Sequence, residues 1–238
     1  MNNIITFDNL RDFAYVNDRI CSRPIRGIVL SFFGLNGRDM YAEDTPDGQY
    51  FAERGILYVV PYNNPWAWMN RQAVSYTDEI LDVLFTQYDL PDALPVVSTG
   101  GSMGGLSALV YTMYAKRTPV ACVANCPVCD LPYHFTERPD LPRTLYSAFW
   151  NYEGTMDEAL RSASPLHLAE RMPDAAYTLF HCTADKAVNK KMHSDRFVAE
   201  MKKHHRISYI EVPDHGHCDL PPEIRAQYLA VAADAILF

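Results

Sequence analysis

The stretch Thr99-Gly100-Gly101-Ser102-Met103-Gly104-Gly105 decides the fold. It follows the apolar run Pro95-Val96-Val97 and precedes a helix-like stretch over residues 106–116, so it predicts a sharp turn from a strand into a helix. A Cβ at Gly100 or Gly104 would collide with the neighbouring strand or helix. A turn of this kind pushes the side chain of its serine clear of the sheet, which predicts a nucleophile. The alternative is a glycine-rich loop that contains serine by chance.

The composition indicates one domain that spans residues 1–238. The chain is 48% hydrophobic and 21% charged, which is enough to bury a full core. The alternation of apolar runs and helical periods continues from end to end, without a linker, a repeat or a low-complexity tract. The formal net charge of −8 argues against a nucleic-acid partner, because phosphate binding needs Lys and Arg gathered on one surface.

The amino-terminal residues, the lengths of the apolar runs and the cysteines indicate the cellular compartment. Residues 1–8 lack the basic start and the apolar stretch of a secretory signal, and no run of about 18 apolar residues occurs, so we expect a cytoplasmic protein that does not bind a membrane. The six cysteines show no disulfide spacing, and we expect most of them to be free buried thiols. They are Cys21, Cys122, Cys126, Cys129, Cys182 and Cys218. The sequence does not predict the oligomeric state.

Apolar runs that resemble buried strands alternate with helical periods. The predicted strands lie at residues 25–33, 56–61, 95–97, 120–124, 177–181 and 207–212. Helical periods fall at residues 75–89 and 106–116 and around Phe197 and Tyr228. Ser75 with Asp78 offers a capping pair for the first helix. Strands that are apolar on both faces and alternate with helices predict an α/β fold, with a mostly parallel sheet covered by helices on both sides.

One segment, residues 131–163, departs from this alternation of predicted strands and helices. It is punctuated by prolines and rich in aromatic residues, and it falls where a short crossover would suffice. We interpret it as a small cap insertion over the carboxyl edge of the sheet; the alternative is a surface excursion with its own small core.

A nucleophilic serine needs a histidine to take its proton and a carboxylate to hold that histidine. The loop after the last predicted strand contains Asp214-His215-Gly216-His217, and the loop after the strand before it contains Asp185. Both loops lie at the carboxyl ends of their strands. The resulting order of serine, acid and histidine is the one expected of the α/β-hydrolase fold.

With these loops in place, the chain resembles α/β-hydrolases of the prolyl-oligopeptidase-like and dienelactone-hydrolase-like group, and the resemblance covers most of the chain. In that group the two loops read His-Gly-x-x-Asp-x-x-Val and x-x-Gly-His, which align with residues 181–188 and 215–217. The resemblance implies that Asp185 is the triad acid and His217 the base, with Ser102 as nucleophile. This sequence departs from the pattern at Cys182, where glycine is usual.

Three alternatives remain open at these positions. His215 competes with His217 for the role of base, and Asp130 competes with Asp185 for the role of acid. A metal pair of the two histidines matches no recognised zinc spacing, so we expect neither a metal nor a cofactor. The pattern Cys126-Pro127-Val128-Cys129 has dithiol spacing but lies deep in the hydrolase pattern, where redox chemistry is not favoured.

The oxyanion formed by serine attack requires two N–H donors. The fold would supply one from Met103, the residue after the nucleophile, and we assign the other to Leu35 in the glycine-rich turn over residues 33–37. Aromatic and glycine residues at the same edge of the sheet predict the walls of an apolar substrate pocket. The predicted pocket residues are Phe33, Gly34, Trp66 and Trp68.

These residues together predict a serine hydrolase that cleaves small carboxylic esters through an acyl-enzyme. A small-substrate amidase or peptidase, or an acyltransferase, would use the same triad. A catalytically silent hydrolase-fold protein that binds a ligand in the same pocket is the alternative from another class, and a dithiol oxidoreductase is a third hypothesis. The expected partner is a small-molecule ester.

Overall fold

A computed structural model describes residues 4–37 and 39–238 of the chain. Seven strands form one sheet in this part of the chain. They are β1 (Ala14–Val16), β2 (Gly27–Phe32), β3 (Ile56–Pro61), β4 (Val96–Gly101), β5 (Ala121–Asn125), β6 (Ala176–Cys182) and β7 (Ile207–Val212). The spatial order is β1-β3-β2-β4-β5-β6-β7, with β1 antiparallel to β3 and every other pair parallel.

Helices cover both faces of the sheet. They are α1 (Pro46–Ala52), α2 (Arg71–Gln87), α3 (Met103–Tyr114), α4 (Leu131–Glu137), α5 (Leu141–Phe149), α6 (Met156–Ser162), α7 (Pro165–Leu168), α8 (Arg196–Met201) and α9 (Pro222–Leu237). Helices α1 and α9 contact one face, while α3 and α8 contact strands from the other. Within residues 4–37 and 39–238 no helix has both the length and the apolar character needed to cross a membrane.

The strands are buried on both faces because each face packs against helices. In β2, Ile28 and Leu30 belong to the larger apolar cluster and Val29 to the smaller one on the opposite face. Since successive side chains of a strand point to opposite faces, a run without polar alternation fits this sandwiched position. The predicted α/β class and its mostly parallel sheet are confirmed.

Three elements differ from the sequence prediction. The prediction missed β1, which is only three residues long, and also α1. It also placed the start of α2 too late: Asn70, whose side chain accepts a hydrogen bond from the N–H of Ala73 at 2.9 Å, caps the helix, and Ser75 lies inside it. An asparagine cap needs no carboxylate three residues later, so the capping-pair pattern does not identify Asn70.

The predicted cap segment, residues 131–163, is helical and contains α4, α5 and α6. These three helices contact one another, and their buried side chains Leu141, Leu145 and Leu160 belong to the larger apolar cluster of the domain. A hydrogen bond of 3.1 Å from Trp68 Nε1 to Thr144 Oγ1 joins α5 to the loop after β3. The segment thus packs into the main core and is tied to the carboxyl edge of the sheet.

Candidate active site

Ser102 lies at a sharp turn between β4 and α3. Its φ of 61° and ψ of −124° fall in a region that residues other than glycine rarely adopt, at a cost of about 1–3 kcal/mol. A Cβ at Gly100 would overlap the carbonyl of Gly104, and a Cβ at Gly104 would overlap the carbonyl of Phe32. The two glycines therefore let strand, turn and helix approach closely enough to hold the strained serine.

His217 and Asp185 form a hydrogen-bonded pair. His217 Nδ1 lies 2.7 Å from Asp185 Oδ2, and the carboxylate is fully buried. The other oxygen of Asp185 accepts the backbone N–H groups of Ala187 and Val188 at 2.8 and 3.0 Å. His181 Nε2 also lies 3.4 Å from Oδ2. These partners fix the carboxylate so that it can orient only the Nδ1 side of the His217 ring.

The pair shifts the pKa values of both groups. Burial alone raises the pKa of Asp185, but the donors around its carboxylate, His181 and His217 foremost, outweigh burial and hold that pKa well below its usual range. Burial likewise lowers the pKa of His217, and the Asp185 carboxylate outweighs it and raises that pKa to about 9. The Asp185 carboxylate thus favours the protonated form of the His217 ring.

Ser102 and His217 line the same cavity, but among the described residues their side chains are not hydrogen-bonded to each other. His217 Nε2 instead lies 3.7 Å from Cys218 Sγ. Since Nδ1 is held by Asp185, Nε2 is the ring atom available to a nucleophile. In unliganded enzymes such contacts are often long and shorten when substrate binds.

Two backbone N–H groups are available next to Ser102. Met103 is the first residue of α3, and its N–H has no acceptor among residues 4–37 and 39–238, as is usual for the first turn of a helix. The N–H of Leu35 likewise has no acceptor in those ranges. The loop of Leu35 passes close to the serine, because a Cβ at Gly34 would lie 3.7 Å from Ser102 Cβ. Both predicted oxyanion donors therefore lie beside Ser102.

A cavity of about 450 Å³ opens at Ser102. It is lined by Gly34, Leu35, Asn36, Trp68, Gly101, Ser102, Val128, His134, Arg138, Ala187, Val188, His217 and Cys218. Gly34 and Trp68 therefore line it as predicted. Arg138 and His134 from the cap were missed, since nothing in a helical period indicates which face of a cap meets the site.

Two of the predicted pocket residues lie elsewhere. Phe33 is half-buried and stacks on Tyr41, with ring centroids 5.9 Å apart. Trp66 is 42% exposed, and its Nε1 donates a hydrogen bond of 2.7 Å to Asn36 Oδ1. The prediction that they wall the pocket is wrong: Phe33, which follows β2, packs on Tyr41, and the turn after β3 buries Trp68 and leaves Trp66 at the surface. Asn36, which was not predicted, lines the cavity instead.

The competing triad residues are engaged elsewhere. Asp130 caps α4, accepts the N–H of Tyr133 at 3.2 Å and pairs with Arg196 at 2.6 Å. His215 Nδ1 lies 3.0 Å from Asp219 at the exposed rim. The histidine bound to Asp185 is therefore His217, and the charged partner of Asp130 is Arg196.

The two cysteines with dithiol spacing do not face each other. Cys126 Sγ accepts the N–H groups of Cys182 and Cys218 at 3.3 and 3.4 Å. Cys129 Sγ points to the carbonyl of Pro127 at 3.6 Å. Both thiols are fully buried, which is unlike the exposed thiol of a redox motif. Two other cysteines pack against Cys126: Cys182, and Cys218 from the loop that carries His217.

A buried network of two histidines and a glutamate supports one wall of the cavity. Glu137 Oε2 lies 2.6 Å from His134 Nδ1 and 3.1 Å from His193 Nε2. His193 Nδ1 accepts the N–H groups of Cys129 and Asp130, both at 3.1 Å, so its proton is on Nε2. Burial raises the pKa of Glu137, but the two histidine donors outweigh it and lower that pKa to about 2.

Comparison with known proteins finds similarity over different parts of the chain. None of the profiles of known protein families matches it. Dipeptidyl peptidase family member 6 of Caenorhabditis elegans is 31% identical over 132 residues, which are 51% of this chain and 17% of that protein. The chain thus spans only a small part of the length of this curated relative.

Solved structures are similar over most of the chain. A puromycin-hydrolyzing peptidase of Mycobacterium tuberculosis has a TM-score of 0.72 at 18% identity, covering 91% of this chain and 35% of the peptidase. An S-formylglutathione hydrolase of Agrobacterium tumefaciens has a TM-score of 0.69 at 17% identity, covering 94% of this chain and 88% of the hydrolase. An esterase of Thermogutta terrifontis has a TM-score of 0.62 at 21% identity, covering 94% of this chain and 88% of the esterase. With the sheet order and the turn at Ser102, these likenesses show that the chain has the α/β-hydrolase fold, the fold of the superfamily that its sequence resembles.

Proposed function

We propose that the protein is a serine hydrolase that cleaves small carboxylic esters through an acyl-enzyme on Ser102. The observation that carries this proposal is the hydrogen bond of 2.7 Å between His217 and the buried Asp185, at the rim of the cavity that exposes the strained serine. A histidine held by a carboxylate next to such a serine is the arrangement that acyl transfer requires.

In the proposed reaction, Ser102 Oγ attacks the ester carbonyl and His217 Nε2 takes the hydroxyl proton. Asp185 keeps the His217 ring in the tautomer that has a lone pair on Nε2 and stabilises the imidazolium that forms. A rotation of the serine side chain toward Nε2, as substrate enters, makes the contact that the unliganded site lacks. His217 then returns the proton to the leaving alcohol.

The negative oxygen formed by this attack would be bound by the N–H groups of Met103 and Leu35, which have no other acceptor among the described residues. Loss of one such donor costs about 10²–10³ in turnover where it has been measured. Water activated by His217 then attacks the acyl-enzyme and releases the acid. No step of this route uses a cofactor.

The size and lining of the cavity favour a small ester as the partner. A volume of about 450 Å³ lies near the lower end of the range for small-molecule sites. Val128 and Val188 provide apolar surface for a short acyl chain, and Arg138 provides a cation at the cap side. The net charge of −8 supports the proposal that the partner is not a nucleic acid.

A peptidase of very small substrates is the second candidate, and the similarity to a dipeptidyl peptidase family member favours it. The same serine, histidine and carboxylate would serve amide cleavage. The two activities separate when hydrolysis of p-nitrophenyl acetate is compared with hydrolysis of aminoacyl p-nitroanilides. We expect the ester to be the better substrate, and a higher kcat/KM on the anilides would favour the peptidase.

Covalent labelling tests the proposed function directly. We expect a fluorophosphonate probe to label the protein at neutral pH, since an activated serine attacks phosphorus as it attacks a carbonyl. Mass spectrometry of the labelled peptide should place the adduct on Ser102. Heat-denatured protein is the matched control and should not react. No adduct on the folded protein would favour the silent ligand-binding alternative.

The pH dependence of ester hydrolysis follows from the pKa of His217. Only the neutral ring can accept the serine proton, so we expect kcat/KM to rise with pH and to level off above about 9. The same pKa shift makes the folding stability change with pH in the opposite direction to the rate. The ion pair between His217 and Asp185 contributes its full stabilisation below about pH 6.5, and this stabilisation is lost as pH rises through about 9. Initial rates of ester hydrolysis, corrected for hydrolysis by the buffer, measure the dependence of kcat/KM on pH. A midpoint near the ordinary histidine pKa of about 6.5 would contradict it.

A further inference from the structure

Three atoms that can bind a metal ion, two sulfurs and one imidazole nitrogen, lie together beside Ser102. Cys126 Sγ, Cys218 Sγ and one ring nitrogen of His217 are all within 4.8 Å of one another. Cys126 follows β5 and is fully buried, whereas Cys218 and His217 line the cavity of Ser102. The cluster therefore forms part of the cavity floor.

The spacing of these atoms fits a tetrahedral metal ion. His217 Nε2 and Cys218 Sγ are 3.7 Å apart. A zinc ion bonds sulfur at about 2.3 Å and nitrogen at about 2.0–2.1 Å, which at a tetrahedral angle puts the two ligand atoms about 3.6 Å apart. The fourth position would face the cavity, where water can occupy it.

The surroundings of the ligand atoms also fit. Asp185 accepts a hydrogen bond from His217 Nδ1, and a carboxylate on the far ring nitrogen is the usual support of a metal-bound histidine. Cys126 Sγ accepts two backbone N–H groups, from Cys182 and Cys218. These contacts favour a thiolate, although Cys218 and burial together raise the pKa of the Cys126 thiol, so the thiol loses its proton when the metal ion binds. Cys126 and Cys218 both have strained backbones, with φ of 44° and 58°.

We propose that Cys126, Cys218 and His217 form a binding site for a thiophilic divalent cation of the zinc type. Binding releases the two thiol protons and the Nε2 proton of the His217 imidazolium to solvent, and it uses the lone pair that this leaves on Nε2. That lone pair is the one that accepts the serine proton in the proposed reaction. An ion at this site therefore inhibits the hydrolase, and this consequence alone rests on the proposed function.

Another His and carboxylate group with comparable spacing does not fit a metal. In the network of His134, Glu137 and His193, the Nδ1 atom of His193 accepts two backbone N–H groups, so its Nε2 carries a proton. A metal on Nε2 would require that ring to lose its only proton. The cysteine cluster has no such conflict, because His217 Nδ1 donates to Asp185 and a ring that loses only its imidazolium proton presents a lone pair on Nε2.

Cobalt(II) titration tests the site without relying on turnover. Untagged protein, freed of metal by a chelator and kept reduced with a phosphine, is titrated with Co²⁺. We expect the visible and near-ultraviolet absorption bands of a tetrahedral cobalt thiolate, saturating at one ion per chain and abolished when Zn²⁺ is added. The bands should be lost in Cys218→Ser and in Cys126→Ser, and they should persist in Cys21→Ser, which removes a buried thiol that does not belong to the cluster.

The inhibition is measured separately. We expect Zn²⁺ to slow fluorophosphonate labelling of Ser102 in the wild-type chain and a chelator to restore it, whereas labelling of Cys218→Ser should not respond to Zn²⁺. Cobalt bands in a chain that the probe never labels would support the metal site and contradict the hydrolase. Absence of bands in the wild-type chain, or bands that survive Cys218→Ser, would overturn the metal site even if labelling proceeds.

Discussion

Replacing Ser102 by alanine is expected to lower the turnover of p-nitrophenyl acetate by about 10³-fold or more, as loss of a triad nucleophile does where it has been measured. The change removes the only atom that becomes covalently bonded to the acyl group. It should leave the fold intact, because Ser102 makes no side-chain hydrogen bond in the part of the chain that the structure describes. Thermal unfolding of the variant checks that point, and stopped-flow or steady-state rates measure the loss.

His217→Gln should cause a loss of similar size, since the residues of a triad act as one unit. His215→Gln is the matched control: its ring bonds Asp219 at the rim and should be dispensable for turnover. A rate that falls with His215→Gln and not with His217→Gln would move the base to the neighbouring histidine and contradict the proposed assignment.

The sequence was informative where local chemistry decides the structure. Only glycine fits at Gly100 and Gly104, so the turn at Ser102 could be predicted from seven residues. Strands buried on both faces have an uninterrupted apolar pattern, so the parallel sheet followed from the same sequence. The pairing of Asp185 with His217 depends on two loops that the sheet order brings together, and the resemblance to known hydrolases supplied that information.

The rest depends on tertiary contacts that have no local signature. Phe33 and Trp66 resemble pocket residues in the sequence. In the structure the ring of Phe33 stacks on Tyr41, and the ring of Trp66 is partly exposed to solvent. The approach of Cys126 to Cys218 joins positions 92 residues apart, whereas the dithiol spacing suggested Cys129 as its partner. Spacing along the chain could not predict that approach.

Asp185→Asn is expected to reduce turnover by about 10⁴-fold, the loss measured for this change in a serine protease. The physical reason lies in the contacts of the carboxylate. An asparagine oxygen can still accept the N–H groups of Ala187 and Val188, which leaves its amide nitrogen facing His217 Nδ1. The amide then donates where the carboxylate accepted, so the His217 ring must place its proton on Nε2. A ring protonated there cannot accept the proton of Ser102.

Asp130→Asn gives the matched comparison, because it is the same change at the competing carboxylate. Asparagine caps a helix as well as aspartate does, so α4 should keep its start, while the ion pair with Arg196 is lost. We therefore expect turnover close to that of the wild type and a small decrease in the midpoint of thermal unfolding. If Asp130→Asn abolished turnover while Asp185→Asn did not, Asp130 would be the triad acid, and the proposed orientation of His217 would be wrong.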